Sequence, residues 1–133
     1  MKIALSLLLL AASSLCHAAE VTLTDQYGAC LEATDGAGPD QRMACYVAET
    51  KRQGALLDAA YKAAMQAVPK AKQPGLRDAQ RTWLKFSNQN CDFFHNAESG
   101  DSADEARAFC FMRMTAERRA ELVEIEAAAA GRG

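Results

Sequence analysis

Apolar positions in this chain recur at three- and four-residue spacing in three long stretches. Nowhere do they alternate with the period of two that marks a half-buried strand. The first stretch places Met43, Val47, Thr50, Gly54, Leu57, Tyr61, Ala64 and Val68 on one face. Their alternating four and three spacing is a heptad-like seam suited to near-antiparallel helix packing. The second places Leu76, Ala79, Trp83, Phe86, Asn90 and Phe94 together around the only tryptophan. Residues 79–91 are therefore expected to form the central helix and structural spine. The third aligns Phe111, Thr115, Arg118, Leu122 and Ile125.

Turn signals divide these stretches. Asp25 can cap a short helix over about 26–33, and the glycine-rich run 34–39 turns the chain. Asp40 can then cap a long helix reaching about residue 68, which Pro69 and the run 70–75 break and reverse. The tryptophan helix should span about 76–96. After the acidic turn at 98–101, Ser102 and Glu105 have the spacing of a capping box for a last helix to about residue 128. Residues 127–133 are expected to fray. The pattern predicts an all-α fold, a small antiparallel bundle of three main helices preceded by a short one.

The first 19 residues read differently. Lys2 precedes a short apolar run that ends in small residues, the three parts of a cleaved secretory signal. The run is too short to span a bilayer comfortably, so stable membrane insertion is not expected. Cleavage is expected after Ala18 or Ala19, leaving one domain over 20–133 that is periplasmic or secreted. Cys16 raises a lipoprotein alternative, which Leu15 and the two serines before it disfavour. Removing the segment leaves 14 basic against 17 acidic residues, a net charge of −3. Such a balance argues against nucleic acid as a partner and mildly favours a basic one.

Four cysteines remain, Cys30, Cys45, Cys91 and Cys110, an even count that in an exported chain implies disulfides. Three pairings are possible. Cys30 and Cys45 flank one turn at similar distances, and Cys91 and Cys110 flank another, so the geometry favours Cys30–Cys45 and Cys91–Cys110. There is no Cys-x-x-Cys pair, and the spacing of the cysteines does not suit zinc.

Little else suggests chemistry. Once Cys16 and His17 leave with the signal, His95 is the only histidine, placed to complement a helix C-terminus rather than to serve a nucleophile. No carboxylate pair sits in an apolar setting, and no phosphate loop or metal motif is present. The chain is read as a non-enzyme without cofactor or metal. Arg118, the one charge on the last stripe, is expected to pair with Asp58.

Several of these residues together resemble a known family. Cys30, Met43-Ala44-Cys45, Leu57 with Tyr61, Gln80-Arg81-x-Trp83 with Cys91, Cys110, and Thr115-x-x-Arg118-x-x-x-Leu122 are similar to the LprI-type lysozyme inhibitors. The resemblance spans about 27–125. It departs at Ser87-Asn88, where the family often has Arg-Asp, and at Gly54 and Asp58, where it often has an acid and Asn. It implies a disulfide-stapled helical bundle with Gln80, Arg81, Trp83, Tyr61 and Arg118 in structural roles. It also implies a protein partner, a lysozyme, and thereby protection of the cell wall. Lysozymes of the common type are basic, so the expected contact is the acidic turn of Glu98, Asp101, Asp104 and Glu105. The alternative is an envelope structural or adaptor protein of the same fold that binds no lysozyme.

Overall fold

The computed structural model describes residues 21–131. Among them are four α-helices: α1 Asp25–Ala33, α2 Pro39–Ala67, α3 Gln73–Ala97 and α4 Asp101–Ala130. A 3₁₀ turn, Lys70–Lys72, leads into α3. The helix starts differ from the expected ones by a residue or more, each for a local reason. Thr24, not Asp25, caps α1, and its hydroxyl accepts from the Tyr27 N–H at 3.3 Å. At α2, Pro39 occupies the first turn behind Gly38, so Asp40 is already inside the helix. Gly100, at φ 63°, caps α4 without a side-chain bond, which places Ser102 within the first turn and dissolves the capping box. That left-handed backbone suits glycine, as it does at Gly36, φ 74°, in the turn after α1. At the far end the alanine run carries α4 on to Ala130, so the tail expected to fray is helical up to there.

Consecutive helices reverse direction, yet the largest interface joins two that do not follow one another. Arg42 meets Glu105, Tyr46 meets Phe109, and Leu57 packs with Leu122. The near-constant offset between partners shows that α2 and α4 run parallel. Against α3 the partners of α4 instead descend as the chain ascends: Asp92 with Arg107, Cys91 with Cys110, Gln80 with Arg118. The backbones of α2 and α3 stay apart, and the two helices meet through side chains such as Leu76 and Trp83 against Leu57, Ala60 and Ala64. The spine of the molecule is thus α4, not the tryptophan helix.

The burial pattern says why. Ala103, Cys110, Met112, Met114, Thr115, Ala116, Arg118, Ala120 and Leu122 are all buried on α4, on more than one face. Alanines there let a neighbouring helix approach closely, while Leu122 packs against α2 and Cys110 and Met114 meet Cys91 of α3. On α2 the buried row is Cys45, Glu49, Gln53, Leu57, Ala60 and Ala64, so the first half of the expected seam, Met43, Val47, Thr50 and Gly54, lies at the edge of the interface and lines clefts beside α4. Val47 is 57% exposed. On α3 the inner residues are Gln80, Ser87 and Cys91 beside Trp83 and Leu76, while Phe86 is 55% exposed and Ala79 lies on the surface. The predicted stripe was rotated by about one residue.

Trp83 packs against both core clusters. One is Leu57, Ala60, Ala64 and Leu122, with Tyr61, Leu76 and Ile125 around it. The other is Cys91, Cys110 and Met114 with Phe111. The bridges are Cys30–Cys45 and Cys91–Cys110, with Cα separations of 5.8 and 5.5 Å. Each pins a neighbour to the α2–α4 pair. Replacing both Cys91 and Cys110 by alanine should cost about 3 kcal/mol, the loop-closure entropy of a bridge with a sequence separation of 19. Urea unfolding of the oxidised variant and wild type measures it, and coincident midpoints would refute it.

Candidate functional site

The most perturbed group lies at the start of the fold. Glu49 has no exposed surface, yet it is a carboxylate with every oxygen engaged. Oε1 accepts from the Thr24 N–H at 2.9 Å and from Gln53 Nε2 at 2.8 Å. Oε2 accepts from the Thr24 hydroxyl at 2.6 Å and from Arg52 Nε at 2.9 Å. Burial alone would raise the pKa, but the bonds from Thr24, Gln53 and Arg52 outweigh it and hold it at about 2. A carboxylate so fixed takes no proton near neutrality and is no general base. Its work is structural. Gln53 Nε2 also reaches the Thr22 carbonyl at 3.0 Å, and Arg119 Nη2 reaches the same oxygen at 3.1 Å. Gln53 Oε1 has no partner. Turning the amide over would set that oxygen against two acceptors, so the orientation is fixed. Together these side chains tie residues 22–24 across α2 and α4.

A second buried polar pair joins α3 to α4. Arg118 Nε donates to Gln80 Oε1 at 2.9 Å and Nη1 to Glu121 Oε2 at 2.8 Å. The expected partner Asp58 is not involved. It is exposed on α2 and lines a different cleft with Leu84 and Asn88, while Arg118 faces α3. Tyr61 is half-buried against the first core cluster. Arg81, expected in a structural role, instead lies on the surface and pairs only with Asp78. Gly54, Asp58, Ser87 and Asn88, where the chain departs from the resemblance drawn above, all line that one cleft of about 340 Å³ over Thr115.

The acidic turn is spread over two environments. Glu98, Asp101 and Asp104 are exposed, and Asp104 lies 3.3 Å from His95 Nε2. Glu105 is different: Arg42 grips both its oxygens, at 2.7 and 2.9 Å, and donates to the Ala37 carbonyl at 2.8 Å. That carboxylate holds the Arg42 guanidinium charged, raising its pKa. As an open contact Glu105 is largely spent. Arg42 in turn draws the turn after α1 against the start of α4, so Asp35 and Asp40 belong to the same end of the bundle. The opposite end carries Lys70, Lys72 and Arg77. Sequence spacing could not bring 35 and 40 beside 98 and 101; the fold does.

Beside Glu98 and Glu105 opens a cleft of about 400 Å³ lined by Tyr46, Ser102, Ala106 and Phe109. Tyr46 and Phe109 meet edge to face at 5.3 Å, and Tyr27 stands 6.2 Å beyond Tyr46. Sequence reasoning missed this pair, since neither residue lies on a predicted stripe. Among the described residues no cluster of three or more His, Cys, Asp or Glu side chains could hold a metal ion. No described helix is long and apolar enough to cross a membrane.

A small helical domain with two disulfides, with an acidic, aromatic cleft at one end and a second cleft of about 560 Å³ between Met43, Val47, Lys51, Arg107 and Phe111, is a module for meeting another protein outside the reducing cytoplasm. The chain belongs to the LprI family: the model described as "Lysozyme inhibitor LprI" matches residues 30–122. That family is one of inhibitors, not of enzymes. No curated protein and no solved structure matches the chain.

Proposed function

We propose that this protein binds a basic lysozyme through the acidic end of its bundle and blocks the enzyme's access to the cell wall. Membership of a family described as lysozyme inhibitors carries the reading. The electrostatics support it, because Asp35, Asp40, Glu98 and Asp101 stand exposed at one end with no ion pair among the described residues. Opposite charge on the partner speeds encounter and orients it, an effect that salt weakens. The N-terminal segment 1–20 lies outside the described residues; in this reading it carries an export signal removed after Ala18 or Ala19, and the mature protein works in the periplasm or beyond.

Purified oxidised protein, titrated into cell-wall lysis assays with lysozymes of several types, tests the proposal. Inhibition of a basic lysozyme at micromolar concentration is expected, with the affinity falling as salt rises. Undiminished lysis at high micromolar inhibitor, across all types, would overturn it. An envelope protein captured in place of lysozyme would then point to an adaptor role.

A further inference from the structure

We infer that the cleft between the start of α4 and the first turns of α2 is a socket for an arginine side chain presented by the partner. The inference rests on the binding reading above and names the group that reading leaves open. Three observations converge. The cleft, about 400 Å³ and open to solvent, has room for one long side chain. Its apolar wall is the Tyr46–Phe109 pair, and Phe109 is 44% exposed. Rings presented this way are hydrophobic surface that a planar cation covers favourably. Its polar rim is Glu98 and Ser102 opposite Glu105.

The charge balance selects the guest. Glu105 is neutralised by Arg42, while Glu98 makes no ion pair among the described residues, so the lining keeps one uncompensated negative charge. An anion is repelled, and a neutral group leaves Glu98 without a partner. A guanidinium donates to Glu98 and to the Ser102 hydroxyl while its plane lies on a ring. The two halves of this chemistry occur elsewhere in the fold: Arg42 forks onto both oxygens of Glu105, and the Arg107 guanidinium lies 4.9 Å over the Phe111 ring. Lysine supplies the charge but neither the plane nor the forked donors.

The experiment uses the full mature chain with both disulfides formed and a probe that contains no lysozyme. The peptide acetyl-Gly-Arg-Gly-amide is titrated while the aromatic resonances of Tyr46 and Phe109 are followed by NMR. Lysine and citrulline counterparts are titrated alongside. The arginine peptide should shift both rings, and citrulline, of the same shape without the charge, should bind about tenfold more weakly. Glu98→Gln, at an exposed position, should weaken the arginine peptide to a similar degree, whereas Glu124→Gln near the C-terminal end of α4 should not. Shifts scattered over Asp35 and Asp40, equal binding of citrulline, or an indifferent Glu98→Gln would overturn the socket. Lysozyme binding by calorimetry separates the two proposals. Lysozyme bound equally by wild type, Glu98→Gln and Phe109→Leu overturns the socket and leaves the inhibitor reading. Arginine peptide bound at the rings with no lysozyme bound at all overturns the inhibitor reading and supports the socket.

Discussion

Glu49→Gln should destabilise the protein by about 3 kcal/mol at neutral pH, and the deficit should vanish in acid. The magnitude follows from the distance between the ordinary pKa of 4.5 and the folded value of about 2. The sign follows from which state takes the proton first. Above pH 4.5 the carboxylate is ionised in both states and the four bonds stabilise the fold in full. As pH falls below that value the unfolded chain protonates while the folded one does not, so unfolding gains. Through pH 2 the folded carboxylate takes its proton too, and below that the advantage is gone. Glutamine keeps the shape of the side chain but has no charge to lose. Urea midpoints from pH 7 to pH 2 for wild type and variant should therefore converge. Parallel curves would mean that the carboxylate contributes packing alone. The first residues to loosen should be 22–24, whose carbonyl and amide groups Gln53, Arg119 and Glu49 hold.

Leu122→Ala should cost about 3–4 kcal/mol, while Phe86→Ala should stay within about 0.5 kcal/mol of wild type. Leu122 has no exposed surface and packs against Leu57, Ala60 and Ala64. Truncating it opens a cavity where α4 meets α2. Phe86 is the larger side chain, but over half of it already faces water. Side-chain size alone would order the two the other way, so the pair is a direct test of which helix the bundle is built around. Thermal and urea unfolding of the two variants decide it. A Phe86→Ala loss comparable to that of Leu122→Ala would return α3 to the centre.

How much of this was legible in the sequence depends on what each residue could signal. Helix number and the turns between helices were legible because Pro39, Pro69, Pro74 and Gly100 interrupt strongly periodic stretches. The disulfide pairing was legible because both pairs flank short turns at matched distances. The phase of α3 was not. Periodicity ranks Ala79 and Phe86 as inward, but Gln80 is drawn in by Arg118 and Cys91 by its bridge, and these two bonds set the rotation. Nor was the centrality of α4 legible, since alanine and methionine at Ala103, Met112, Ala116 and Ala120 give a weak apolar signal. Their value is closeness of approach, which a hydrophobicity count does not register. The burial of Glu49 and Gln53 had no signal in the apolar spacing, since both are polar; only the segment 22–24 laid over them accounts for it. The acidic turn was visible as residues. Its division into a free carboxylate at Glu98 and a committed one at Glu105 was not, because Arg42 is 63 positions away from Glu105.

The bridges also carry an instruction about time. Cys30 pairs with the next cysteine of the mature stretch, Cys45, and Cys91 with the next after it, Cys110. Neither pair encloses or interleaves the other. If the chain enters an oxidising compartment N-terminus first, as the export reading proposes, Cys30 and Cys45 meet before Cys91 arrives. The second pair then meets no competing thiol, and each cysteine's earliest available partner is also its native one. In that order of events each bridge forms between neighbouring cysteines, and neither has to be broken for the other to close.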